Sequence, residues 1–118
     1  MNKVKIIECP RDAMQGIKSH FISTEAKAGY INSLLKVGFD TIDFGSFVSP
    51  KAIPQMRDTA AVLSKLDISQ TQSKLLAIIA NVRGANDAAQ FEEIDYLGYP
   101  FSISENFQMR NTHKTIDQ

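Results

Sequence analysis

The sequence has no tryptophan, a single cysteine and no excess of either charge. One cysteine excludes an internal disulfide and agrees with a reducing, cytoplasmic setting. Thirteen lysines and arginines balance thirteen aspartates and glutamates, so no net field draws the chain to nucleic acid or to an anionic membrane. The basic residues are scattered, with no run interleaved with aromatics. No stretch nears the roughly 20 apolar residues of a membrane span, and the polar N-terminus is no signal peptide. Nucleophile triads, P-loops and Gly-rich dinucleotide fingerprints are missing. The two histidines, His20 and His113, lack His-x-His spacing and read as surface residues. With no low-complexity segment or linker, 118 residues make one domain with a core, not two.

What is present is alternation. Lys3–Cys9 reads as a first strand, and Cys9 at its end reads as core rather than as a nucleophile. Ser23 or Thr24 can cap a helix to Val37, with Ala28, Ile31, Leu34 and Leu35 as its apolar stripe and Gly38 as its stop. Thr41–Phe44 reads as the second strand. Pro50 and Pro54 make Ser46–Pro54 an ordered loop at that strand's carboxyl end. A second helix is expected over Gln55–Lys65, burying Met56, Ala60 and Leu63. The apolar run Leu75–Ala80 predicts a strand covered on both faces. Asn86 is expected to cap a third helix with Phe91, Ile94 and Leu97 as its face and Gly98 as its stop. Tyr99–Ile103 then makes a fourth strand, with Pro100 near its start. Residues 111–118 read as the start of a fourth helix that is cut short.

Such alternation implies parallel pairing with right-handed crossovers. The expected fold is α/β: about four β/α units, the N-terminal half of a (β/α)8 barrel of about 250 residues or more. The domain would span residues 1–118 and be partial.

Two strand ends carry chemistry-bearing residues. The first is Ile6-Ile7-Glu8-Cys9-Pro10-Arg11-Asp12, with adjacent opposite charges where parallel α/β proteins bind ligands. Arg11 can hold a carboxylate or enolate-like oxygen in its fork of donors, and Asp12 can give a hard oxygen to a divalent cation. The plainer reading is a salt-bridged turn. The second is Thr41-Ile42-Asp43-Phe44-Gly45-Ser46-Phe47-Val48-Ser49-Pro50-Lys51, followed by Pro54-Gln55-Met56. Here Asp43 is a site residue or a cap for the loop's amides, and Ser46 a substrate contact or a hydroxyl satisfying backbone groups. Asn81, Arg83 and Glu105 follow the third and fourth strands and would line the same mouth. Lys51 reads as solvated surface.

Together these stretches resemble the N-terminal part of the hydroxymethylglutaryl-CoA lyase family, metal-dependent barrels that cleave carbon–carbon bonds beside acyl-CoA thioesters. Asn81-Val82-Arg83-Gly84 and Ser104-Glu105-Asn106-Phe107 continue the likeness. The resemblance implies cleavage of 3-hydroxy-3-methylglutaryl-CoA to acetyl-CoA and acetoacetate. It implies that Asp12 binds magnesium or manganese, in a metal site that is incomplete within these residues. Arg11 would stabilise the charge developing on the thioester carbonyl, and Asp43 would be a catalytic acidic residue. Ser46, Asn81 and Glu105, with Arg11, would contact substrate. The family's metal-binding His-x-His pair and Gly-Cys-Pro loop have no counterpart here. Three departures stand out: Ala13 replaces a usual glycine, Glu8 lies three rather than four positions before Arg11, and Asp43 replaces a common glutamate.

The partner implied is an acyl-CoA substrate, and the chain is expected to be homo-oligomeric or self-associating. Two alternatives remain open. One is an acyl-CoA condensing enzyme of the same superfamily, separable by assaying acetyl-CoA release against consumption. The other is a non-enzymatic α/β binding or assembly module, which would be a closed monomer.

Overall fold

Four short parallel strands lie side by side in chain order: β1 (Ile7–Glu8), β2 (Thr41–Ser46), β3 (Lys74–Ile78) and β4 (Tyr96–Gly98). Between them run α1 (Pro10–Gln15), α2 (Thr24–Leu35), a 3-10 turn (Pro54–Met56) with α3 (Thr59–Ser64), and α4 (Val82–Ala89). The computed structural model describes residues 3–101, 103–106 and 109. Strand order that follows the sequence is the pattern of successive barrel units.

The core lies between the sheet and the helices. Ala28, Ile31 and Leu35 of α2 and Val62 and Leu63 of α3 pack on Ile42, Phe44, Leu75 and Ala77. Ser23 caps α2 as expected, its Oγ accepting from the Ala26 amide at 3.1 Å. The helix ends at Leu35, and Gly38 makes the turn to β2 at φ 102°, a conformation that favours glycine.

Within β2 the register fixes what faces where. Ile42 pairs with Leu75 and Gly45 with Ala77, whereas Asp43 pairs with Leu76 and Ser46 with Ile78. Paired residues in parallel strands project to the same face. A bulge between Asp43 and Gly45 absorbs Phe44. Asp43 and Ser46, three apart in sequence, therefore share the face opposite the helices. The strand also runs close over α3: a Cβ on Gly45 would sit 2.5 Å from Thr59 Cγ2. The Ser46 amide donates to Thr59 Oγ1 at 3.1 Å.

Several expectations are corrected. The first strand is two residues long, not seven, because only β2 pairs with it; Val4 and Ile6 stay exposed. The stretch after Cys9 is a helix, with Pro10 at its first position where no amide is needed. The second helix breaks into a 3-10 turn and α3, which buries Thr59 and Val62 while Ala60 is exposed. The third helix starts at Val82, four residues before the expected cap. Asn81 caps it instead, its Oδ1 accepting from the Gly84 amide at 2.8 Å, and Asn86 lies inside the helix. Leu97 and Gly98 belong to β4, not to that helix, and Tyr99 and Phe101 lie beyond the strand. Hydrogen bonds from the Asp95 amide to Leu75 O and from the Ile79 amide to Gly98 O draw this segment onto the edge of β3. β3 has Leu75 and Ala77 fully buried but Leu76 and Ile78 only partly, so its second face is less covered than the apolar run implied. The expected fourth helix over 111–118, with His113, lies outside the described residues.

Among the described residues, β1 and β4 each pair on one side only, and they carry exposed Ile7, Tyr96 and Leu97. Unpaired apolar edges recruit other strands. The 118-residue chain studied alone should therefore self-associate with rising concentration, as read by light scattering. A stable monomer across a wide range would count against this and favour the closed module.

Candidate active site

The two stretches singled out in the sequence meet through their side chains. Arg11, on the first turn of α1, donates from Nε to both carboxylate oxygens of Asp43, at 3.1 and 3.0 Å. Its Nη2 donates to Asp43 Oδ2 at 2.7 Å, completing a forked pair across 32 residues of sequence. Both partners are largely buried, at 15% and 6% side-chain exposure. Charge-assisted forked bonds of this kind fix orientation as well as charge. Nη1 donates to Gln15 Oε1 at 2.8 Å, one helical turn on. These bonds leave N–H donors on both terminal nitrogens for a further acceptor.

Asp12 does not share that pair. Its carboxylate is 70% exposed and lies 3.8 Å from Arg11 Nη1. The local Arg11–Asp12 ion pair is thus present but loose, the tight long-range pair with Asp43 is added to it, and Asp12 remains largely open to solvent. An exposed carboxylate suits one share of a hard cation's oxygen shell. Among the described residues no group of three or more His, Cys, Asp or Glu side chains gathers at metal spacing.

The other candidates spread along the strand ends. Ser46 lies at the carboxyl end of β2 on the Asp43 face, its Oγ accepting from the Val48 amide at 3.1 Å. Its own O–H remains a donor. Asn81 follows β3 and uses its carbonyl oxygen as the α4 cap, which leaves its NH2 group. Glu105 follows β4 in a helical turn and is exposed. Arg83 and Lys51 are exposed. Glu8 pairs in register with Ile42, so it projects away from the Asp43 face, and its carboxylate accepts from the Cys9 amide at 3.1 Å. Cys9 is exposed rather than core. Desolvation first, then the Asp43 carboxylate, raises its pKa, so at neutral pH it is a thiol and a weak nucleophile.

Sequence reasoning missed a second set of polar residues. Lys27 is 2% exposed, and its Nζ donates to Asp58 Oδ1 at 2.6 Å and to the Gln55 carbonyl. Asp58 Oδ2 in turn accepts from Thr24 Oγ1 at 2.7 Å. Lys27 Nζ also stands 4.1 Å from the ring centre of Phe21, and the Arg57 guanidinium carbon 3.7 Å from it. A signal existed: Lys27 lies four residues before Ile31, inside the apolar stripe of α2. Gln15 was legible only once α1 is a helix. Beside Gln15 opens a cavity of about 580 Å³, walled by Ile17, Phe21, Ile53, Pro54 and Arg57.

No family model matches the chain. Curated relatives do. The mitochondrial hydroxymethylglutaryl-CoA lyase of Macaca fascicularis is 35% identical over 119 residues, covering 98% of this chain and 35% of the relative. A hydroxymethylglutaryl-CoA lyase of Bacillus subtilis is 33% identical over 117 residues, covering 98% of this chain and 38% of the relative. Among solved structures, an HMG-CoA lyase from Acinetobacter baumannii in complex with coenzyme A and 3-methylmalate superposes with a TM-score of 0.88 at 33% identity. It covers 97% of this chain and 37% of that one. The chain spans a little over a third of the length of the relatives it matches.

Proposed function

The chain belongs, by sequence and by fold, with the N-terminal segment of the hydroxymethylglutaryl-CoA lyases, and on that premise we propose that it furnishes the β1–β2 side of a carbon–carbon lyase site. Its four parallel strands and their helices correspond to the first units of a TIM barrel. The observation that carries the proposal is the Arg11–Asp43 fork, because it joins the two stretches most like the family into one constellation.

The reaction proposed is cleavage of 3-hydroxy-3-methylglutaryl-CoA to acetyl-CoA and acetoacetate. The substrate hydroxyl gives its proton to a general base, the carbon–carbon bond breaks, and the electron pair passes to the thioester carbonyl as an enolate that then takes a proton from a general acid. Arg11 is held rigid by Asp43 and Gln15, and its remaining N–H groups would meet that developing oxyanion. Asp43 would act by holding Arg11. Asp12 would supply one ligand to magnesium or manganese, whose bound charge favours loss of the hydroxyl proton. The free donors of Ser46 and Asn81 suit substrate oxygens, and Glu105 stands at the next strand end. The acyl-CoA partner follows from the same likeness, and the coenzyme A in the A. baumannii relative supports it. No helix of the described residues is long and apolar enough to cross a membrane. A cytoplasmic setting, from the single cysteine, is part of the proposal and open to cell fractionation.

The test uses a family-length barrel carrying this segment as its first units. Arg11→Lys keeps the charge but loses the fork, and should raise the barrier by about 2–4 kcal/mol with little change in metal affinity. Asp12→Asn should first weaken metal binding, so added magnesium or manganese should restore part of its activity and none for Arg11→Lys. Equal rescue of both, or loss in neither, would sink the assignment. Alanine at Ser46, Asn81 or Glu105 should raise KM in the same assay. The 118 residues alone, with a single proposed ligand, should turn over no thioester.

A further inference from the structure

We propose that Gln55 is a positioning residue that sets where α1, and hence Arg11 and Asp12, stands; this rests on the reading of those two residues as site groups. Gln55 lies in the 3-10 turn after β2 and is 5% exposed. Its side chain reaches back across 38 residues to the segment leaving α1. Nε2 donates to Ile17 O at 2.9 Å and to His20 O at 3.1 Å, and Oε1 accepts from the Ile22 amide at 2.9 Å. Both amide hydrogens and the carbonyl are thereby used, each on a backbone group of one irregular segment.

That segment, residues 16–23, has neither helix nor strand to satisfy its backbone. The Gln55 amide takes the place of a ladder partner for a segment that is itself largely exposed, and its own buried polar groups would go unmet if those bonds were lost. The consequence reaches the site because α1 is six residues long. A helix that short does not hold itself by its own hydrogen bonds. Its placement is set by what it packs on and bonds to: buried Pro10 and Met14, the Arg11–Asp43 fork, and at its far end Ile17, whose amide bonds Met14 O while its carbonyl bonds Gln55. Gln15, which steadies Arg11, lies two residues before that anchor. Gln55 therefore ties the loop after β2 to the helix that brings Arg11 onto Asp43.

The Thr24–Asp58 bond ties the far end of the same segment and provides the control, since Thr24 lies beyond it on α2. In hydrogen exchange on this chain, Gln55→Leu should deprotect peptides of residues 17–22 and of 10–16 together. Thr24→Val should leave 10–16 protected. Gln55→Glu keeps the acceptor for Ile22 but loses both donors, so it should deprotect 10–16 while sparing the Ile22 amide; it is the variant to rely on should Gln55→Leu fail to fold. In the family-length barrel, Gln55→Leu and Gln55→Glu should each lower kcat by about a hundredfold with little change in KM, the signature of a displaced group rather than a lost contact. Unchanged exchange over 10–16 in both variants, or a loss confined to KM, would overturn the proposal. The exchange arm needs no activity, so its failure leaves the lyase reading intact. Equal metal rescue of Arg11→Lys and Asp12→Asn would remove that reading without touching the exchange result.

Discussion

Lys27→Ala should cost about 3–5 kcal/mol of folding stability, measured by urea unfolding at low protein concentration. The side chain is 2% exposed, and its ammonium is the partner of Asp58 and of the Gln55 carbonyl. Removing it strands a carboxylate of 12% exposure and a carbonyl in the same pocket. Coulomb attraction and desolvation nearly cancel while the pair is whole, so most of the loss comes from the orphaned partner. A double change, Lys27→Met with Asp58→Leu, should therefore recover much of the loss. A cost under about 1 kcal/mol for Lys27→Ala would show the ammonium to be hydrated, as an ordinary surface pair is.

Asp43→Asn is the second large effect, and it bears on function as well as on folding. The change keeps the shape but leaves the Arg11 guanidinium, 15% exposed, with only the loose, solvent-facing Asp12 as a charge partner. Stability should fall by about 3–5 kcal/mol, as for other broken buried pairs. In the family-length barrel turnover should fall as well, because a guanidinium released from its fork no longer presents its donors in one direction. Asp43→Glu restores the charge with one more methylene and should lose far less on both measures. Equal damage from Asn and Glu would point to packing at the β2 bulge, not to the fork, as the reason Asp43 is there.

Much of the fold was readable in the chain. The strand–helix alternation, the Ser23 cap and the stripe Ala28, Ile31 and Leu35 are local patterns, and each is present. The errors cluster where two local signals compete. Phe91, Ile94 and Leu97 have helical spacing, yet the open edge of β3 captured Tyr96–Gly98 as a strand. Asn86 has the chemistry of a cap, yet Asn81, read as a site residue, takes the Gly84 amide and starts the helix earlier, with Gly84 packed so close that a Cβ would lie 2.8 Å from Phe47 O. Arg11, Asp12 and Ser46 were legible as candidates because each sits at or just past a strand's carboxyl end, and Asp43, within β2, because it is a charge in an otherwise uncharged strand.

Which of them meet was not legible. Sequence by itself determined the order of β/α units, the polar residues at the strand ends, and the likeness to a lyase family, because those are properties of neighbouring residues. It placed Arg11 with Asp12, its neighbour. Tertiary structure kept that contact loose, at 3.8 Å, and turned the fork of Arg11 to Asp43, 32 residues away. The bulge at Phe44 brought Asp43 and Ser46 to one face, which plain strand alternation would have separated. Gln55 and Lys27 acquired their partners only when the segment and helix that follow β1 met the turn that follows β2. A side chain's chemistry is local, but its partner is set by register and packing, and these are decided by the whole sheet at once.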